Sequence, residues 1–514
     1  MNSPATSIPH SPATIEQALS SWATAAPDRP ALRCEDEAWT FRQLEHAVDR
    51  VAGALVADGI SAGDRIALAG ANSTSWVIVY LAALRAGAVI APTSNRISPR
   101  QFRDQCTTLD AAMAVHDEAH RALVSEVDSR IPVREMHSLV RTALDRAAPV
   151  PPNRRPAGSD LALISFTSGS TGAPKGAVLT HDALLMGSAV TVDLVGTTPE
   201  DSTLVLVPLF HNTGFADQLG HMLLAGGCTH LLPRYRTAAA VEELSRRPVT
   251  YLVGVPSILR MLMLADDADR VFSRARTAFF GGSPMPGAWS SELLRRWPQV
   301  RLIHAYGLTE FTSACTALPP DLIVGCGDSV GLPLPEVRMK IVDDLGREVP
   351  AGTAGEVWVA GPTRMREYWR RPDLTAQKTA GEWLRTGDVG QVDDAGLLWL
   401  SGRTDDVINR GGEKILPATV ESRLAELSAV AEAVVFGAPD PVLQARVVAS
   451  VRLRPGAVFD EALARAHLAA ALADYAVPGE WVLSEEEFPR TPSGKTDRAE
   501  VRARYLAALP EPGS

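Results

Sequence analysis

Lysine is nearly missing from this chain. Of its 50 lysine and arginine residues only five are lysine, at 175, 340, 378, 414 and 495. Where arginine has displaced lysine almost everywhere, a surviving lysine marks a place where a compact, flexible ammonium is not replaced by a planar guanidinium. Cysteine is equally sparse. Cys34, Cys106, Cys228, Cys315 and Cys326 show no CxxC spacing, which argues against a disulfide framework or a zinc site and suits a reducing cytosol. No apolar run reaches the roughly 18 residues of a membrane span. The N-terminal stretch MNSPATSIPHSPATIEQAL has no basic region and no apolar run of signal-peptide length, so a cytoplasmic protein is expected. Positive charge is not in excess: the formal net charge is −10, against a general nucleic-acid binder. Three motifs are also lacking. Without G-x-G-x-x-G a nicotinamide or flavin enzyme is not expected. No G-x-S-x-G surrounds Ser168 or Ser170, which weakens a hydrolase reading. No Walker A loop is present, since Lys175 is followed by Gly176, and Gly494-Lys495-Thr496 has Pro489 where a glycine belongs.

What is present is 514 residues with 46% hydrophobic and 21% charged composition, enough for two or three domains. Thr40 followed by Gln43 predicts a capped helix running toward Gly59. RIALAG (65–70), LALISF (161–166), TLVLVP (203–208), VTYLVGVP (249–256), ARTAFFGG (275–282) and VRLIHAYG (300–307) read as strands with helical patterns between most of them. That alternation predicts parallel sheets covered by helices. Residues 330–402 look like a small, mainly antiparallel β unit. The expected domains are 1–402 and a smaller α+β domain, 403–514, of about 110 residues.

The densest local signal is FTSGSTGAPKG (166–176). A Gly/Ser/Thr loop after a strand can turn N–H groups and hydroxyls inward as a phosphate cradle, with Lys175 supplying mobile positive charge. In AVLTHDALL, Thr180 is placed to cap a following helix. His116 and His120 in HDEAH have the i, i+4 spacing of zinc ligands, but the glutamate is misplaced for a metalloprotease, and a solvated helix face is expected.

With HAYGLTE (304–310), EWLRTGDVG (382–390), GRTDDVINRGGEKILP (402–417) and PRTPSGKTDR (489–498), that segment resembles, in order, the motifs of the adenylate-forming superfamily. The superfamily contains AMP-forming acyl-CoA synthetases, peptide-synthetase adenylation domains and beetle luciferase. The resemblance implies the adenylate-forming fold, with a large N-terminal domain and a mobile C-terminal one. It also implies a two-step reaction: a carboxylate attacks the α-phosphate of ATP, and a thiol, usually that of CoA, then displaces AMP. Bringing an anion to a polyanion needs positive charge and Mg²⁺.

Carried onto this chain, the resemblance gives the triphosphate Thr167, Ser168, Gly169, Ser170, Thr171, Gly172 and Lys175. Adenine is lined by Gly282, Ser283, Pro284, Ala305, Tyr306 and Gly307. Thr309 reaches the α-phosphate and Glu310 holds Mg²⁺. Asp388 takes the ribose, with Arg403 beside it. Lys495 bridges carboxylate and α-phosphate, and Asp405 is the hinge about which the C-terminal domain swings so that Lys495 can withdraw. Arg410, Gly411, Gly412, Glu413 and Lys414 then line the thiol's tunnel, glycine letting a narrow arm approach the backbone. His211, in PLFHNTGF, lies near the carboxylate or thiol path. Phe215, Gly254, Ser257, Gly281, Phe311 and Ala314 complete an acyl pocket for an apolar group larger than acetate, with alkyl, aryl and polycyclic acids all open.

The reading is an AMP-forming acyl-CoA synthetase using ATP, Mg²⁺ and CoA. CoA is favoured over a carrier protein because no carrier domain follows Lys495 and because 330–356 lacks the stretch inserted in carrier-loading relatives. A stand-alone ligase for an acyl carrier protein, a member performing one half-reaction, a luciferase-like oxygenase and a binding protein without catalysis are the alternatives. No nucleic-acid partner and no membrane span are expected. The residues do not set the oligomeric state, with which a homodimer is compatible.

Overall fold

In the computed structural model the described residues are 12–146, 148–149, 155–167, 175–282, 285, 287–410, 413–490 and 496–508, with the side chains of Thr167, Asp405 and Lys414 left aside. By contact density the chain forms two compact units, Met1–Met339 with Val359–Leu384 and Lys340–Trp358 with Arg385–Ser514. Against a division at 402/403, this one groups 340–358 and 385–402 with the C-terminal residues.

Two large sheets build the first unit. In one, five adjacent strands run parallel: Val133–Glu135, Ala111–His116, Arg65–Ala69, Val89–Thr93 and Leu161–Thr167. Two antiparallel strands, Lys175–Thr180 and Glu367–Tyr368, extend it. The other has a parallel centre of Pro30–Cys34, Cys228–Leu231, Ser202–Val205, Tyr251–Gly254, Thr277–Gly281 and Arg301–Gly307. Antiparallel strands close both of its edges. The predicted parallel strands are therefore present, and their apolar, non-alternating runs are those of strands buried on both faces.

Local signals set the helix ends. Thr40 and Gln43 form the capping box of Phe41–Ala57, satisfying two N–H groups at once. In Thr74–Arg85 all twelve residues are buried, as an all-round apolar helix requires. Its last residue, Arg85, is 0% exposed and ion-paired to Glu16 at 3.0 Å and Glu45 at 2.7 Å. HDEAH is not a helix face. His116 closes a strand and is buried, while His120 sits in a 3₁₀ turn with Nδ1 2.6 Å from Asp117. The sheet, pairing Ala111–His116 on both sides, overrides the i, i+4 pattern.

In the second unit, Asp388–Val392, the later part of the strand Trp383–Val392, pairs antiparallel with Leu398–Arg403. Val430–Asp440, Gln444–Leu453 and Glu480–Ser484 form a three-stranded sheet. Its strands alternate between two apolar clusters. Val435, Val447, Ala449 and Val451 pack with Val420, Leu424 and Leu468 of two helices. Val434, Phe436 and Val448 pack with Phe488 and Val501. A period of two with both faces covered makes the sheet a central layer. Among the described residues no helix is long and apolar enough to cross a membrane.

Candidate active site

Three neighbouring parallel strands of the second sheet end in the residues the motifs single out. Their register sets Gly254 beside Phe280 and Gly281 beside Ala305. Gly254, Gly281, Gly282, Ala305, Tyr306 and Gly307 thus gather at carboxyl ends, where open α/β sheets bind ligands. A Cβ on Gly281 would lie 2.7 Å from the Ala305 carbonyl oxygen, and one on Gly307 2.1 Å from that of Ser313. Glycine is needed at both for the backbones to approach. Tyr306 is buried at the strand end while Gly307 is exposed. His304, on the same strand, is 2.9 Å through Nδ1 from the Ser329 carbonyl and stacks on Phe280 at 4.5 Å. Burial pushes its imidazole down to about 4, so it is neutral packing. Ser283 and Pro284 lie outside the described residues.

The strands on either side of the hydroxyl-rich segment pair with each other. Leu161–Thr167 pairs antiparallel with Lys175–Thr180, Thr167 opposite Lys175, and the helix His181–Val195 follows, capped by Thr180 as expected. Ala177, Val178 and Leu179 are completely buried. Ser168, Gly169, Ser170, Thr171 and Gly172 lie outside the described residues, as does the side chain of Thr167.

Lys175 is half-buried, its ammonium 6.0 Å from the centre of the Tyr368 ring. Tyr368 comes from the edge strand paired with Ala177. Its hydroxyl donates to Glu310 Oε1 at 2.5 Å, and the Met365 N–H donates to the Glu310 carbonyl at 2.8 Å. Tyr368 thereby joins a lysine and a glutamate that are 135 positions apart in the chain. Sequence reasoning missed it; the only trace is an aromatic pair, Tyr368-Trp369, in a stretch without periodicity.

A second hub fixes the turn that carries Thr309 and Glu310. Asn212 Nδ2 donates to the carbonyls of Thr309 at 3.3 Å and Thr312 at 2.7 Å, and Asn212 Oδ1 accepts from Ser165 Oγ at 3.0 Å. Thr312 has φ 61°, a strained value for a β-branched residue. Its buried hydroxyl donates to the Thr363 carbonyl at 2.7 Å. The next residue, Ser313, donates to Asp217 Oδ1, which also accepts from Thr191 at 3.3 Å. Asp217 lies in a π-helical turn, Phe215–Gly220, a feature frequent at functional sites. Burial pushes its carboxyl up to about 7, against the two hydrogen bonds. His211 precedes Asn212, half-buried, its ring 4.4 Å from that of Phe210. Neither Asn212 nor Asp217 was singled out by pattern.

The proposed acyl-pocket residues spread over this region. Phe215 is buried beside Tyr80 at 6.3 Å. Ala314 pairs with Gly307 across the sheet. Phe311 is fully buried, near Gly361, and Ser257 is exposed on the helix Pro256–Met263.

In the second unit, Asp388 and Arg403 face each other across a strand pair, ion-paired at 3.1 Å. The Arg410 guanidinium donates to the Tyr475 carbonyl at 2.8 Å. Gly411, Gly412 and Lys495 lie outside the described residues, as do the side chains of Asp405 and Lys414. Among the described residues no cluster of three His, Cys, Asp or Glu could hold a metal. A lone carboxylate such as Glu310 still fits Mg²⁺, which takes one or two carboxylates and completes its shell with phosphate and water.

Residues 19–369 match the AMP-binding enzyme family and 419–495 its C-terminal domain. Feruloyl-CoA synthase of an Amycolatopsis species is 31% identical over 500 residues, covering 95% of this chain and 99% of its own. The fatty acid–[acyl-carrier-protein] ligase ScoC of Streptomyces coeruleorubidus is 32% identical over 519 residues, covering 96% of each. The o-succinylbenzoate coenzyme A synthetase of Bacillus subtilis, solved with ATP and magnesium ion, superposes with TM-score 0.83 at 27% identity, covering 94% of this chain and 99% of its own.

Proposed function

The chain belongs to the AMP-binding enzyme family, and we propose that it is an AMP-forming acid–thiol ligase that converts a carboxylic acid to its acyl-AMP and passes the acyl group to CoA. The observation that carries this reading is the cluster of Lys175, Tyr368 and Glu310. It sets a cation and a carboxylate beside the strand ends that bear Tyr306 and the glycines.

In the first half-reaction a carboxylate oxygen of the acid bonds to the α-phosphorus and pyrophosphate leaves with its electron pair. Lys175, with the loop hydroxyls before it, neutralises the departing β- and γ-phosphates. Thr309 donates to the α-phosphate oxygen as negative charge builds there. Lys495 bridges attacking carboxylate and α-phosphate, an electrostatic role worth about 10²–10³ in rate. Tyr306 offers adenine a flat face, and Asp388 accepts from the ribose hydroxyls. Glu310 would hold Mg²⁺, which would supply charge neutralisation on the phosphates. In the second half-reaction a thiolate sulfur attacks the acyl carbon and AMP leaves. Lys495 withdraws as residues from 403 onward turn about Asp405, and Arg410, Gly411, Gly412 and Lys414 border the thiol's path. Phe215, Gly254, Gly281 and Ala314 supply an apolar acyl site, with His211 near the carboxylate.

The test is a panel of ferulate, indoleacetate, 2-succinylbenzoate and octanoate with ATP and Mg²⁺, read for pyrophosphate and, with CoA added, for thioester. Acid-dependent release of both is expected. Absence of acid-dependent pyrophosphate across the panel counts against the reading. A carrier-protein acceptor is the second reading, supported by the likeness to ScoC; pyrophosphate without CoA thioester would favour it.

A further inference from the structure

Asparagine side chains commonly bond backbone groups a few residues away. That of Asn212 does not. Its three bonds reach Ser165, Thr309 and Thr312, which are 47, 97 and 100 positions distant. Chemistry leaves the amide one orientation. Backbone carbonyls only accept, so Nδ2 must face Thr309 and Thr312, and Oδ1 takes the Ser165 hydroxyl. Both amide hydrogens are therefore spent on the two carbonyls. Ser165 is buried on the strand Leu161–Thr167, so the acceptor end of Asn212 is anchored in the sheet.

The two carbonyls belong to the ends of a single 3₁₀ turn, Thr309–Phe311, and the residue after it. Within the turn, the Phe311 N–H donates to the Leu308 carbonyl at 2.9 Å and the Thr312 N–H to the Thr309 carbonyl at 3.2 Å. The chain leaves it through Thr312 at φ 61°, a conformation that a β-branched residue keeps only when its surroundings impose it. One segment does so from 363–365, where the Thr363 carbonyl accepts from the Thr312 hydroxyl and the Met365 N–H donates to the Glu310 carbonyl. Asn212 supplies a second tie, to the strand of Ser165. Packing leaves little slack: a Cβ on Gly187 would lie 3.1 Å from Thr312 Cγ2.

We propose that Asn212 is a positioning residue for acyl-AMP formation: by holding the carbonyls of Thr309 and Thr312 it sets where the Thr309 hydroxyl meets the α-phosphate. The inference rests on Thr309 donating to that phosphate, as in the function proposed above. As a carboxylate oxygen bonds to the α-phosphorus and pyrophosphate leaves, negative charge builds on the α-phosphate oxygens. A preorganised donor counts most in that state, and a misplacement of about 1 Å can cost about 10² in rate. Asn212 touches no substrate in this account. It acts through the backbone of the turn, so its loss lowers turnover with little effect on ATP or acid binding.

The test uses the full chain and the panel acid that releases pyrophosphate fastest. Asn212→Asp keeps the shape and the acceptor for Ser165 but removes both donors. Its kcat for pyrophosphate release is expected to fall about 10- to 100-fold, with KM for ATP and acid changed by less than about threefold. Asn212→Gln, which keeps the amide on a longer stem, should lose less than Asn212→Ala. On a Thr309→Ala background Asn212→Asp should cost less than about threefold further, as linked residues are non-additive. Urea unfolding followed by tryptophan fluorescence reports that each variant folds; if Asn212→Asp does not, the comparison of Asn212→Gln with Asn212→Ala decides. An unchanged kcat, a loss confined to KM, no rescue by Asn212→Gln, or a full loss added to that of Thr309→Ala overturns the positioning role. If Thr309→Ala itself leaves pyrophosphate release intact, the assignment of Thr309 fails, and the inference with it.

Discussion

Replacing Asp217 by asparagine tests how the buried turn beneath Thr309 and Glu310 responds to pH. The residue is 5% exposed. Its carboxyl is raised from the ordinary 3.8 to about 7 by burial, with Ser313 and Thr191 pulling the other way. The native protein therefore binds this proton more tightly than the unfolded chain does. The stability contributed is fully present below pH 3.8 and is lost as pH rises through about 7. Linkage between these two values gives a cost of about 2 kcal/mol near pH 5 and about 4 kcal/mol near pH 8. Asparagine does not titrate, and its carbonyl oxygen still accepts from both hydroxyls. The variant should gain about 2–3 kcal/mol on the wild type between those pH values.

Two titratable neighbours stay silent in that window. Burial pushes His221 down to about 3 and Tyr251 well above its ordinary range. The assay is urea unfolding followed by tryptophan fluorescence, variant against wild type at each pH. A constant offset, from imperfect packing of the amide, leaves the reasoning intact. A difference that does not grow as pH rises refutes it.

Tyr368→Phe removes the 2.5 Å hydrogen bond to Glu310 while keeping the ring near Lys175. Adenylation kcat/KM should fall about tenfold, the scale of a lost hydrogen bond to a charged group, with thioester formation from acyl-AMP unchanged; equal effects on both steps would count against the cluster. Arg85→Ala leaves Glu16, itself 0% exposed, without its partner. A loss of about 3–5 kcal/mol is expected, read as a drop in the urea midpoint, and a loss below about 1 kcal/mol would show that water or Glu45 rearrangement compensates.

Much of the scaffold is legible because it follows from near neighbours in the chain. Thr40 and Gln43 announce their helix because a capping box closes within one turn. The apolar runs at 251–254, 277–281 and 301–307 announce buried parallel strands. The same holds for the glycines at their ends, where backbones converge and a side chain has no room. Lys175–Thr180 is too short for its own pattern to decide its state. Its strand state comes from pairing with Leu161–Thr167. HDEAH misleads for the same reason, since sheet pairing outweighs helical spacing at His116.

The sequence by itself determined the order of the motifs, the alternation of strand and helix, and the residue types that a nucleotide and an acid require, because each is written in a short window of chain. Only the tertiary structure decided that Tyr368 stands between Lys175 and Glu310, that Asn212 joins Ser165 to the Thr309 turn, and that Asp217 is buried with a raised proton affinity. Those contacts join residues far apart in the chain, and a hydrogen bond or a desolvation cost depends on what lies within a few ångströms in space.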